Sequence, residues 1–295
     1  SLVALAAVSE PSTGNPIEVG TVAWGRDFEA AVRDSERTGK PVFAFFQEVP
    51  GCAGCRKFGS EVMSDSTLTQ AIENEFIPVL IYNNRPGKDA DLLRRYGEPA
   101  WNYQVIRFLD ENGRDLIPRK DRVWTLAALS TRMIEALEAA GRTVPRYLEA
   151  VALESDTARH GQVAFAQHCF WTGEAELGGI EGVISTEAGW VEGREVTLVR
   201  FDRGQVSVES LTRAARAAGL ADRVYRADEL DGAYRLASDS DQKRQIRGSV
   251  FDDIALSPMQ RTKVNAFAVG DLERALEWLT PEQREQFDRL VDERR

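Results

Sequence analysis

Apolar positions along the chain change their spacing in a way that separates helices from strands. From Arg26, the residues Phe28, Ala31, Val32 and Ser35 recur at helical spacing until Gly39, and 41–46 then run continuously apolar, as a strand buried on both faces does. The pattern continues with helices over 56–63 and 64–76, a strand over 77–82 and a short helix over 89–96. A hairpin is predicted from 104–109 and 114–117 around the turn Asp110-Glu111-Asn112-Gly113. Thr125 then caps a helix whose inner face carries Leu126, Leu129, Met133 and Leu137.

The second half repeats this alternation in a different order. A linking helix over 144–153 and a polar boundary at 154–159 precede a strand at 162–167 and a helix at 170–177, stopped by Gly178-Gly179. Strands come next at 183–191 and 195–201, and Ser207 caps a helix with Leu211, Ala214, Ala215 and Ala218, closed by Gly219. This β-α-β-β-α order suits an α+β sandwich, whereas the first half is α/β. The tail predicts three helices: one from Ser257-Pro258 to 267, one over 272–279, and one opened by Thr280-Pro281-Glu282-Gln283 with Phe287, Leu290 and Val291 on its buried stripe. The tail carries no chemistry and is assigned to packing.

At 295 residues the chain exceeds one ordinary core, so two domains are expected, 22–153 and 154–295. A formal charge of -10 without a basic stripe argues against a nucleic-acid partner. The apolar stretch from Leu2 to Val8 is too short to span a bilayer and reads as a cloning remnant or the end of a cleaved signal, so no membrane association is expected. Three cysteines do not fit a secreted disulfide framework. A soluble protein of a reducing compartment is the expectation, the cytoplasm first and the periplasm as the alternative.

Cysteine placement is the chemical clue. Val49-Pro50-Gly51-Cys52-Ala53-Gly54-Cys55 comes directly after the buried strand and precedes a helix. A thiol at a helix N-terminus meets unpaired N–H groups and the positive end of the dipole, which stabilise thiolate. Cys52 is therefore the expected nucleophile and Cys55 the resolving thiol. A structural disulfide or half of a zinc site is the other reading of this pair, with His160, His168 and Cys169 the remaining soft ligands. Under that alternative the chain would be a module holding a soft metal or metalloid. Under the redox reading the thiols themselves are the redox groups, no cofactor is needed and an external thiol is the electron donor.

The element order with Cys-x-x-Cys after the first main strand resembles the thioredoxin fold over residues 22–142. More narrowly, Val-Pro-Gly-Cys together with Gly97-Glu98-Pro99-Ala100-Trp101-Asn102 resembles a bacterial thioredoxin-like group in which selenocysteine can stand at the position of Cys52. One departure is visible: where thioredoxins place a cis-proline before the strand facing the dithiol, this chain has Asn102-Tyr103-Gln104-Val105, and Pro99 lies several residues too early.

Residues 160–250 resemble the A-type peptide methionine sulfoxide reductases. The resemblance is carried by His168-Cys169-Phe170-Trp171 with Glu174, by Gly182-Val183-Ile184-Ser185-Thr186-Glu187-Ala188-Gly189-Trp190, by Glu195 placed before Phe201-Asp202, and by Ser240-Asp241-Gln242-Lys243-Arg244-Gln245-Ile246. It implies a ferredoxin-like sandwich of that type and a methionine sulfoxide peptide, or a small thiol or sulfoxide, as substrate. Cys169 would attack the sulfoxide sulfur and Glu195 would protonate the departing oxygen. Phe170, Trp171 and Trp190 would hold the S-methyl group, and Glu174 would orient the site. The sulfenic acid left on Cys169 needs a second thiol, and only Cys52 and Cys55 remain in the chain, which suggests resolution in cis. The chain departs from the family in lacking its loop tyrosine between Gly193 and Glu195, in having no clear match to its later Asp and second Tyr, and in carrying His168 where the family has glycine. Tyr225 and Tyr234 are the available substitutes.

Each of these residues also has a plainer reading. Phe170 and Trp171 fit a core at a strand–helix junction, His160 a surface position and His168 a packed or capping histidine. Glu174 and Glu195, taken singly, read as solvated carboxylates.

Overall fold

The structure is a computed structural model and describes residues 14–101 and 104–295. The Leu2 to Val8 stretch and Asn102 and Tyr103, at the place compared with a cis-proline, lie outside the described residues. The chain divides into two compact units, 1–144 and 145–295.

In the first unit Asp27 caps helix α1, Phe28–Thr38, by accepting from the Ala30 amide, and Gly39 ends it in the left-handed conformation. Strand β1, Val42–Gln47, is buried along its whole length. Helix α2, Ala53–Glu61, comes next, then α3, Ser66–Glu75, strand β2, Ile77–Tyr82, helix α4, Lys88–Tyr96, strand β3, Gln104–Leu109, and helix α5, Leu126–Ala139. The sheet order is β2-β1-β3, with β1 parallel to β2 and antiparallel to β3. Both faces of β1 are covered: Val42, Ala44 and Phe46 pack with Phe28, Ala31 and Leu93, while Phe43 and Phe45 meet Trp24, Phe58, Phe76 and Phe108. Each fully buried Phe contributes about 1.5–3 kcal/mol relative to exposure. This strand therefore anchors the Cys52 loop and helix α2 that extend from its end.

The expected hairpin after β3 is not formed as two strands. The turn is present, with the Asp110 carboxylate accepting from the Asn112 and Arg114 amides, but the return segment makes only a bridge between Leu109 and Asp115. Buried charge takes over there. The Glu98 side chain, 1% exposed, accepts from Arg107 at 2.8 Å and from Arg119 at 2.6 and 2.8 Å, and Arg107 also pairs with Asp115. Beyond Leu116, whose amide bonds the Phe108 carbonyl at 2.8 Å, Glu98 holds Arg119 and the chain leads on to Trp124.

The second unit begins with α6, Arg146–Ser155, whose Ala150 and Leu153 pack with the C-terminal helices. Strand β4, His160–Ala166, helix α7, Phe170–Gly178, strands β5, Val183–Val191, and β6, Arg194–Asp202, helix α8, Val208–Ala217, and strand β7, Arg223–Arg226, succeed it in that order. A short helix α9, Ala227–Leu230, and a two-residue strand β8, Arg235–Leu236, complete the sheet. Its order is β7-β4-β6-β5-β8 and every pairing is antiparallel. The expected β-α-β-β-α succession is present, and β7 extends it to β-α-β-β-α-β. One face packs Val163, Phe165, Val199 and Phe201 against Leu177 of α7 and Leu211 and Ala215 of α8.

The tail forms α10, Pro258–Phe267, α11, Leu272–Leu276, and α12, Pro281–Glu293, with capping boxes at Ser257 and Thr280. Its Met259, Val264, Leu276, Trp278 and Phe287 share a core with Phe251 and Ile254. No helix among the described residues is long and apolar enough to cross a membrane.

Candidate active site

Cys52 is the N-cap of α2, which starts one turn earlier than its apolar spacing suggests because the thiol itself can cap it. Its Sγ accepts from the Cys55 amide at 3.4 Å. The two sulfurs lie 3.2 Å apart. Cys52 is exposed and Cys55 is buried. The Cys55 amide, the Cys55 thiol and the helix terminus together hold the Cys52 thiol below its ordinary value. Burial, and the hydrogen bond with Cys52, push the Cys55 thiol up to about 12. One dithiol thus contains a ready nucleophile and a protonated reserve.

The loop before the dithiol is held from two sides. The buried Glu18 carboxylate accepts from the Gly51 amide at 3.0 Å, and its carbonyl accepts from the Gln47 side chain at 2.9 Å. Asn84 bonds the Val49 amide and carbonyl at 3.4 and 3.1 Å. Gly51 is required by close approach: a Cβ there would stand 2.6 Å from both Cys55 Cβ and the Glu48 carbonyl oxygen. Beside the thiols opens a cleft of about 450 Å³ whose walls include Phe58, Val62, Gln104 and Trp124. No periodicity or motif in the sequence points to Glu18, Asn84 or Trp124. The linear signal that leads toward Trp124 is Glu98, whose carboxylate accepts from Arg119, five residues before that tryptophan.

In the second unit Cys169 is the N-cap of α7 and half-buried. The Glu195 carboxylate accepts from the amide of Phe170, the next residue, at 3.0 Å. Trp190 faces Glu195 across the β5–β6 ladder. Phe170 meets Trp171 and Trp190 edge-on, with ring centroids 5.9 and 5.7 Å apart. Cys169, Phe170, Trp171, Trp190 and Glu195 are thus brought together. Glu174 differs: it is fully buried, both its oxygens bond Lys243, and burial raises its carboxyl above the usual range. It is not a solvated carboxylate, and it ties the 239–247 segment to the helix that Cys169 begins. Gln242 completes that tie through the Ala188 amide and carbonyl at 3.0 and 2.9 Å.

His160 is half-buried and its ring bonds the Leu153 carbonyl oxygen at 2.8 Å, while His168 is exposed rather than packed. Tyr225 donates to Glu192 at the hairpin turn at 3.3 Å, whereas Tyr234 donates to the Ala188 carbonyl at 3.4 Å, beside the Phe170 cluster. Among the described residues no three His, Cys, Asp or Glu side chains are grouped to hold a metal.

Residues 23–110 match a family model described as thioredoxin-like. No curated protein matches the chain. A solved structure titled DsbH Oxidoreductase aligns at 20% identity and a TM-score of 0.35, over 44% of this chain and 94% of that one. The family match and the proximity of Cys52 and Cys55 identify a thioredoxin-like domain in the first unit, consistent with a thiol oxidoreductase.

Proposed function

We propose that the protein is a thiol–disulfide oxidoreductase acting through Cys52. The observation that carries this is the exposed, acid-shifted Cys52 thiol 3.2 Å from a buried Cys55 thiol shifted the other way. Cys52 thiolate attacks one sulfur of a substrate disulfide, forming a mixed disulfide and expelling the first substrate thiolate, which takes a proton from water. Cys55 loses its proton and attacks the Cys52 sulfur, which closes the Cys52–Cys55 disulfide and releases the second substrate thiol. The substrate is reduced by two electrons and the protein is oxidised by two. An external dithiol restores the reduced protein. Mixing reduced Cys55→Ser protein with a peptide disulfide tests the order of events: a mixed disulfide on Cys52 should accumulate by mass spectrometry. Attachment at Cys169, or none, would refute it.

A second reading concerns the other unit and rests on the Glu195–Phe170 bond beside Cys169. The ferredoxin-like strand order and this contact support sulfoxide reduction. Cys169 would take the sulfoxide oxygen as a sulfenic acid, leaving a sulfide, with Glu195 supplying the proton. Condensation with Cys52 would release water, and Cys55 would then close the dithiol disulfide. Dithiothreitol-driven reduction of both epimers of a methionine sulfoxide peptide, by wild type and Cys169→Ser, decides this reading. Turnover of the S epimer that disappears in the variant is expected; absence of turnover by wild type would leave the first unit as the source of activity.

A further inference from the structure

We infer that the Cys169 site selects methionine sulfoxide flanked by carboxylates, through Arg235 and Arg244; this names a substrate class for the sulfoxide-reduction reading and rests on it. Phe170, the residue after Cys169, meets both Trp171 and Trp190 edge-on. Each indole carries a guanidinium over its ring: Arg244 stands 5.1 Å from the Trp171 centroid and Arg235 6.0 Å from that of Trp190. Both arginines are exposed, and neither has a carboxylate partner among the described residues. In a chain whose formal charge is -10, two unpaired cations over one aromatic cluster give that patch the opposite sign to the whole.

The backbone fixes where these charges lie. Arg235 is the ladder partner of Trp190 in the β5–β8 pair. Arg244 follows Lys243, whose φ of 50° is a left-handed conformation uncommon for a residue with a Cβ. The Lys243 side chain turns inward to Glu174 and the Thr186 carbonyl, and the next residue is left at the surface over Trp171. Glu174 is matched by Lys243, Glu195 accepts from the Phe170 amide, and Glu187 lies on the opposite face of β5 from Ala188 and Trp190 by strand alternation. None of these three carboxylates pairs with either arginine. Trp171 adds a donor, since its Nε1 is buried without a partner among the described residues, and an oxygen acceptor arriving at this ring would satisfy it. A carboxylate on the residue next to the sulfoxide, whose Cα is about 3.8 Å away, can meet a guanidinium while the S-methyl group rests on an indole. A lysine there would meet like charge.

The test has two readouts on the full-length protein. In Cys52→Ser/Cys55→Ser protein Cys169 is the sole thiol, and the ratio of its alkylation rates by iodoacetate and iodoacetamide reads the charge of the site without sulfoxide chemistry. Adding Arg235→Gln and Arg244→Gln should lower that ratio about fivefold or more at about 0.02 M salt, and the difference should shrink at about 0.5 M salt. With dithiothreitol, wild type should reduce the S epimer of an Asp-flanked methionine sulfoxide peptide with a kcat/KM at least about tenfold above that of the Lys-flanked peptide and about threefold above that of the Asn-flanked one. The variant lacking both arginines, shown folded by thermal melts, should lose this preference. An alkylation ratio unchanged by removal of both arginines, or equal wild-type turnover of the three peptides, would overturn the inference alone. Turnover of none of the three by wild type would overturn the sulfoxide reading with it.

Discussion

Glu174 and Lys243, 69 residues apart, form an ion pair whose side chains are 0% and 7% exposed, and the Lys243 amide bonds the same carboxylate at 2.8 Å. The ammonium also bonds the Thr186 carbonyl. The pair therefore fastens helix α7, strand β5 and the 239–247 segment to one another around the Cys169 cluster. Removing one partner leaves a buried charge, so Lys243→Met should destabilise the second unit by about 3–5 kcal/mol. Glu174→Leu with Lys243→Met should recover most of that loss. Urea denaturation of the two singles and the double gives the coupling directly.

Cys52 owes part of its acidity to the Cys55 thiol as a hydrogen-bond donor. Replacing Cys55 by Ala should raise the Cys52 value and slow iodoacetamide labelling at about pH 6.5 on the order of threefold, with less difference at about pH 9. Labelling of Cys55 in wild type should stay far below that of Cys52 at both pH values. Equal labelling of the two thiols at the lower pH would contradict the assigned roles.

Lys263 is buried on α10, donates to the Ile180 carbonyl at 2.7 Å, and burial lowers its ammonium to about 8. A lysine whose folded value is depressed stabilises the fold fully only above its unfolded value near 10.5 and loses that contribution as pH falls through 8. The difference amounts to on the order of 3 kcal/mol. Lys263→Met should therefore gain stability relative to wild type at about pH 7 and lose this relative gain by about pH 10.5. Thermal melts at the two pH values read the sign.

Gly59 lies where a Cβ would come 1.8 Å from the Ile17 carbonyl oxygen. Gly59→Ala must displace the 3₁₀ turn Ile17–Val19, with a loss of about 2–3 kcal/mol. Because Glu18 in that turn holds the Gly51 amide, the same variant should alter the Cys52 labelling rate. A melt unchanged from wild type would show that the turn is not packed as described.

Local physics makes much of this protein legible from its residues in order. The continuous apolar run of β1, the caps at Thr125, Ser207, Ser257 and Thr280, and the thiol pair after β1 all depend on neighbours within a few positions. Tertiary contacts decide the rest. Residue spacing predicts a return strand at 114–117, but the Glu98 carboxylate draws Arg107 and Arg119 together instead, a contact over 9 and 21 residues that no period records. Glu174 reads alone as an ordinary helix carboxylate, and its partner, Lys243, comes from a distant segment. The cleft likewise joins α2 to Trp124, residues far apart in the chain. Periodicity reports which face of an element is buried; which polar groups meet on that face depends on the path of the whole chain.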